Sequence, residues 1–423
     1  MTHIDLFTAL MKTIKETVDS DAFLEEFRVP KHFIRKRLLS MRQMVMFLLF
    51  HSLSALDTKI DQFREKIPAF NFPKVSKQAV SKARIGIRFE LFKELFYLSS
   101  TFYYENISER RKWKGKYHLF AIDGSDQEVP GSKSVFEEFG KQSDKKNPTL
   151  CWSMALASSL YDVLEDIIVD ASLQKQFTGE RELAISHLSR LTDLQLQDHS
   201  IVIFDRGYFS AEIYYECLRA GCGCLMRLRK SSLLCRLKGN DKITTIYAPD
   251  GTQMPCRVLK VLLSSGETEY LITSIMDKDL SNEDFCELYF ERWKIETKYY
   301  ELKEHWKIEE FSGNSTLAVR QDFFITLLHA NLAAIIKTCT DKAIRKNAKP
   351  KNRYEYQTRR TYLVGKVQGN FVKWLRVPPS LKDVWALIKD AAKKRSQIQP
   401  GRTSERKRHT RARKHYSNRK APF

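Results

Sequence analysis

Apolar positions follow two rhythms along this chain, and the change between them divides it. Up to about residue 115 they recur at helical spacing, as in the runs Met41 to Leu56 and Phe89 to Tyr104, so residues 1–115 read as a mostly helical region. Beyond it come short runs rich in β-branched and aromatic residues, which predict strands at 117–123, 149–160 and 163–169, then at 200–205 and 223–229. Helical patterns at 179–191 and 209–219 separate the later strands. From Ser231 to about Leu280 the pattern alternates, at Lys242 to Tyr247, Cys256 to Leu263 and Tyr270 to Ile275, and reads as a β-rich insertion. Arg320 to Thr340 predicts a long apolar helix, and Asn352 to Asp390 two helices around Pro378-Pro379.

A chain of 423 residues is too long for one core and should hold two to four units. The 72 Lys plus Arg outnumber the 51 Asp plus Glu, which favours a polyanionic partner. Lys393 to Lys420 carries 12 Lys or Arg and a single acid, Glu405, and should be disordered in isolation, with DNA backbone as its partner. The most apolar run, Met44 to Leu56, is 13 residues long, too short to span a bilayer. Met1-Thr-His-Ile-Asp5 lacks the basic flank and apolar run of a signal peptide. The expectation is a cytoplasmic protein without membrane partners. Its eight scattered cysteines, with no Cys-x2-Cys pair, should be free thiols.

Three sites carry candidate chemistry. Between Asp284 and Trp306, where no Gly or Pro interrupts a helix, Tyr289, Arg292, Glu296 and Lys303 fall on one stripe roughly 60° wide at about 100° per residue. Trp293 lies off that stripe and should pack. The same spacing also suits an ordinary helical ion pair on a solvated face. Upstream, His118-Leu-Phe-Ala-Ile-Asp123-Gly-Ser125 and Ile201-Val-Ile-Phe-Asp205-Arg-Gly-Tyr208 each read as a buried strand ending in an acid and a turn, although each Asp could equally cap that turn or a following helix. Three such acids suit hard divalent cations, and two cations about 4 Å apart can activate one oxygen of a phosphodiester and stabilise the other. Without a cation, three converging carboxylates repel one another. In the helical region, Ser76 reads as an N-cap, and Lys77, Gln78, Ser81, Lys82 and Arg84 suit phosphates and base edges as the second helix of a helix-turn-helix. A solvated surface helix fits those residues too.

At Asp123-Gly-Ser, Asp205-Arg-Gly-Tyr and the fourfold Tyr-x2-Arg-x3-Glu-x6-Lys spacing, the sequence resembles the DDE transposases of bacterial insertion sequences, in the insertion-sequence-4 family. The resemblance implies an α/β fold with a ribonuclease-H-like catalytic core at 116–230 and 281–345, and the order of predicted elements is the one such a core requires. The β-rich insertion at 231–280 interrupts it. A helical DNA-end-binding region at 1–115 precedes it, and a helical, then basic C-terminal region at 346–423 follows. Asp123, Asp205 and Glu296 would hold two Mg²⁺ ions, with Mn²⁺ able to substitute, while Tyr289, Arg292 and Lys303 would hold the DNA end.

The implied enzyme binds the terminal inverted repeats of its element as a homodimer in a synaptic complex, associated with the bacterial nucleoid. It cuts each end by hydrolysis and transesterification through a hairpin, with a base flipped from the stack, and joins the 3′ ends to target DNA. In some relatives a Trp of the insertion stacks on that base; residues 231–280 contain none, so Tyr247 or Tyr270 would substitute. Two other classes share these motifs: a non-transposing DNA-binding protein descended from a transposase, and a nuclease that cuts without joining.

Overall fold

The computed structural model describes the chain except for residues 35–37, 51, 53, 144–146, 148, 150, 263–265, 351 and 400–423. It divides into two compact units: Met1–Ser108 with Gln127–Ala155 and Leu302–Phe423, and Glu109–Asp126 with Leu156–Glu301.

The first unit is built on the helix Thr316–Lys346, which is longer at both ends than its apolar run suggested and is capped by Ser315, whose hydroxyl accepts from the Ala318 amide. It is apolar enough by composition to cross a membrane, but 89% of its most apolar window is buried in protein. Helices His3–Asp19, Glu90–Asn106, Arg360–Arg376 and Leu381–Lys393 pack around it. The expected run Met41 to Leu56 is helical only over Met41–Leu49, and a second helix begins at Leu56. Most of the basic stretch from Lys393 lies outside the described residues. Its opening is ordered, contrary to expectation: Arg395–Gln397 pairs antiparallel with Tyr356–Thr358, and the Arg395 guanidinium lies 4.2 Å from the Tyr356 ring centre.

The second unit holds most of the sheet. Its strands are β1 (His118–Val129), β3 (Cys151–Asp162), β4 (Ile167–Lys175), β5 (Ser200–Phe204), β6 (Gly223–Arg227), β7 (Asp241–Tyr247), β8 (Gln253–Leu262) and β9 (Thr268–Thr273), with β1 in the unit as far as Asp126 and β3 from Leu156. A two-residue strand, β2 (Gln142–Ser143), belongs to the first unit and pairs with the opening of β3. In the second unit the order runs β3-β1-β5-β6-β9-β8-β7, with β4 also on β3. β1, β5 and β6 are parallel neighbours; β6, β9, β8 and β7 are antiparallel. The β-rich segment therefore continues the sheet, because β9 hydrogen-bonds directly to β6.

Two strands differ from the sequence pattern. β4 starts four residues later than expected, because the Asp162 carboxylate accepts from the Leu164 and Glu165 amides and turns the chain through Asp166, at φ 66°. β1 does not stop at Asp123 but runs on to Val129, so Asp123-Gly-Ser125 is strand and not turn.

The helix Glu180–Asp193 is anchored to the sheet by a buried relay. Ser158 on β3 donates to His187 Nε2 at 3.0 Å, and His187 Nδ1 donates to Asp170 on β4 at 2.8 Å. Ser158 is wholly buried, so the relay serves packing and has no route to a substrate. Replacing His187 with Ala should leave the Asp170 carboxylate buried beside a cavity and cost about 3 kcal/mol in urea unfolding. A change under about 0.5 kcal/mol, the size of an ordinary surface substitution, would contradict this role.

Candidate active site

The second unit brings Asp123, Asp205, Tyr289, Arg292 and Glu296 together. Asp123 projects from the middle of β1, with its side chain only 18% exposed, and accepts a hydrogen bond from the Gly124 amide at 2.9 Å. Gly124 sits at a tight approach and not in a turn: a Cβ there would lie 3.0 Å from Glu180 Oε1 and 3.1 Å from Leu156 Cδ1, so those side chains would have to give way. Asp205 follows β5, whose residues are all buried, and stands more open, at 45% exposure. Its turn closes through the Tyr208 amide to the Asp205 carbonyl at 3.1 Å, and Arg181 donates to the carbonyls of Gly207 and Phe209 at 3.2 Å each.

The expected single helix from Asp284 to Trp306 is instead two, Asn282–Phe290 and Trp293–Glu304, separated at Glu291 and Arg292. The break needs no Gly or Pro. The amides of Arg292, Lys294 and Ile295 bond three residues back, at 3.2, 3.1 and 3.1 Å, which tightens the chain by a fraction of a turn. The Arg292 guanidinium, 5% exposed, then lies among the acids: Nη1 is 3.0 Å from Glu296 Oε1 and 3.8 Å from Asp123 Oδ2, and Nη2 is 3.7 Å from Asp205 Oδ1. Tyr289 donates to Asp205 Oδ1 at 3.3 Å, and Arg292 lies 5.6 Å from the Tyr289 ring centre and 5.0 Å from that of Trp293. Trp293, expected to pack, is 38% exposed, because the same break turns it outward under the guanidinium.

Lys303 and the helix Lys77–Arg84 lie in the first unit. Lys303 pairs with Glu309 at 3.3 Å. On the helix Lys77–Arg84, Ser76 caps as expected, accepting from the Ala79 amide at 3.3 Å. Lys77, Gln78, Ser81 and Lys82 are exposed, and Lys77 lies 3.3 Å from Asp57. Arg84 departs from its expected role of reaching DNA. It is buried, donating to Gln321 at 2.6 Å, Ser312 at 2.7 Å, Asp322 at 2.9 Å and the Ala318 carbonyl at 3.1 Å, and so fastens its helix to Thr316–Lys346. In the β-rich segment Tyr247 is 59% exposed and Tyr270 half-buried.

Burial pushes the Asp123 carboxyl up to about 7, with Asp205 and Glu296 adding to the rise and the Gly124 amide and Arg292 opposing it. Burial works against the charge on Arg292, yet Tyr289 and the three acids hold its pKa above the ordinary value. Among the described residues no three His, Cys, Asp or Glu side chains form a closed cation cage. The donor set nevertheless fits a hard divalent cation: three carboxylates already surround one positive group, and added positive charge would favour the ionised form of Asp123 that burial opposes.

The sheet gathers two aspartates and a helical glutamate around one cationic group, and residues 114–332 match the family model described as Transposase DDE domain. The chain belongs to that family, whose members cut and transfer DNA and generally use divalent metal ions. Among curated proteins it is similar to the Transposase InsG for insertion sequence element IS4 of Escherichia coli (strain K12), at 24% identity over 319 residues, covering 71% of this chain and 70% of that one. That relative belongs to the insertion-sequence-4 branch whose signature the Tyr289 to Lys303 spacing matches. Among solved structures it is similar to a piggyBac transposase in a synaptic complex with hairpin DNA, at a TM-score of 0.47 and 11% identity, covering 96% of this chain and 87% of that one.

Glu180 and Tyr208 are further neighbours of the acids that the sequence pattern does not mark. Tyr208 sits inside the Asp205-Arg-Gly-Tyr motif and passes for part of its turn, and Glu180 passes for a routine first-turn acid.

Because folded Asp123 binds its proton far above the ordinary value of 3.8, ionising it opposes folding. The penalty is absent below that ordinary value, grows as pH rises and is complete above about 7. In chelator, Asp123→Asn should therefore raise the melting temperature at pH 8, by up to about 4 kcal/mol in stability, with the gain vanishing toward pH 4. An equal gain at both pH values would contradict the assignment.

Proposed function

We propose that this chain is the transposase of an insertion sequence: it binds the terminal inverted repeats, cleaves both ends through hairpin intermediates and joins the 3′ ends to target DNA. The observation that carries this reading is the gathering of Asp123, Asp205 and Glu296 on one guanidinium, with Tyr289 hydrogen-bonded at its edge. The order of β4 on β3, β3 beside β1, and β5 and β6 parallel to β1 supports a ribonuclease-H-like core beneath it.

Asp123, Asp205 and Glu296 would hold two Mg²⁺ ions, or Mn²⁺ in their place. Ions held there would supply activation of the attacking oxygen and stabilisation of the leaving one. The chain's own groups do the rest. Arg292 carries a donor-rich cation between the acids and the rings of Tyr289 and Trp293, placed to pass from carboxylates to the phosphates of a DNA end as cations arrive. Tyr289 orients Asp205 and offers its hydroxyl to the same phosphate, and Lys303 reaches a neighbouring one. Tyr247, exposed on the terminal strand β7, offers a ring on which a flipped base can stack. Lys77, Gln78, Ser81 and Lys82 present a polar face to the terminal repeat, with Arg84 withdrawn into the fold. Two copies working on paired ends, in the bacterial cytoplasm and on its nucleoid, complete the reading.

Incubating the chain with Mg²⁺ and linear DNA carrying its element's terminal repeats should yield hairpin ends, followed by strand transfer. Glu296→Gln should lower cleavage at least about a thousandfold while leaving end binding within severalfold. Cleavage by that variant at the parent rate would remove the third acid from the site, and nicking without hairpins or joining would identify a nuclease.

A further inference from the structure

A fourth acid stands beside the triad. Glu180 opens the helix Glu180–Asp193, and its carboxylate lies against the peptide that follows Asp123, as the 3.0 Å approach to a Cβ on Gly124 shows. It is close enough to Asp126 and Asp205 for their charges to act on it. Among the described residues it makes no hydrogen bond or ion pair. An acid among acids with no cation opposite is costly unless the scaffold has a reason to hold it there.

The scaffold holds it firmly. Arg181, the next residue, grips the carbonyls of Gly207 and Phe209 in the Asp205 turn, and the Ser158–His187–Asp170 relay fixes the helix two turns further on. An independent feature marks the same spot. Tyr208 is only 2% exposed, and among the described residues its buried hydroxyl has no partner, although Asp123, Glu180, Tyr299 and Asp205 all lie near enough to act on it. The Glu180 carboxylate without a donor and the buried Tyr208 hydroxyl without a partner are near enough for one charge to act on the other, and a hydrated cation between them would satisfy both: its waters donate to the carboxylate and to the phenol oxygen.

We infer that Glu180 is a fourth carboxylate of the cation site, facing the hydrated divalent ion held by Asp123 and Asp205, with the Tyr208 hydroxyl as a partner of that ion's water shell. The inference rests on the transposase reading of the triad and extends its metal site by one acid.

The test is calorimetric titration of the full chain with Mn²⁺ alone, comparing the parent with Glu180→Gln, Glu180→Asp, Glu182→Gln and Asp123→Asn, each checked for a native melt. Glu180→Gln should weaken Mn²⁺ binding about tenfold or more, Glu180→Asp should recover most of it, and Glu182→Gln, about 200° around the same helix, should match the parent. If Asp123→Asn loses binding while Glu180→Gln keeps parental affinity, the fourth acid is overturned and the triad stands. If Glu182→Gln weakens binding as much as Glu180→Gln, the effect is general charge and the inference again fails. If Asp123→Asn binds Mn²⁺ like the parent, the cation site itself is misplaced and the inference falls with it.

Discussion

Three ionised carboxylates around one point repel one another unless positive charge lies among them, and in this chain Arg292 supplies it. Much of the second unit can be understood as the means of bringing that guanidinium and those acids together. β1 and β5, parallel neighbours, deliver Asp123 and Asp205 to one region of the sheet. The tightened turn at Glu291 and Arg292 lets one segment of chain contribute Tyr289 from one helix and Glu296 from the next. Removing the tightening would leave Arg292 on a smooth helical face, where its pairing with Glu296 would be an ordinary one between neighbouring turns.

The balance of charge is deliberately incomplete. One guanidinium faces three acids, and Asp123, the deepest of them, is left with a carboxyl pushed up to about 7 by its burial. A fully neutralised cluster would be more stable and would have no use for a cation. The present one keeps an appetite for positive charge, while its own cation sits beside two aromatic rings and carries donors suited to phosphate. Membership of the DDE transposase family gives that arrangement its chemistry.

Legibility in the sequence followed how local each determinant is. The strand leading to Asp205 was readable because a short apolar run followed by an acid and a Gly is a local signal, and Ser76 was readable as a cap for the same reason. The extension of β1 past Asp123 was not, since Gly124 signals a turn as readily as it signals the close approach that Leu156 and Glu180 impose. The break at Arg292 left no compositional mark, because it arises from backbone bonds three residues back and from acids contributed by distant strands. Arg84 misled in the opposite way: on its own helix it looks like a DNA contact, and its partners Gln321 and Asp322 lie far along the chain. The β-rich segment showed its alternation, yet nothing local revealed that β9 would extend the sheet from β6.

Arg292 lies among Asp123, Asp205 and Glu296, and on the proposed reading it would give way to cations held by the same acids. A crystal structure of the chain bound to its terminal-repeat DNA in Mn²⁺, with the ions located by anomalous scattering, tests it directly. The account predicts manganese bound by Asp123, Asp205 and Glu296, with the Arg292 guanidinium moved out from among them onto a DNA phosphate. Manganese bound elsewhere, with Arg292 still paired to all three acids, would contradict it.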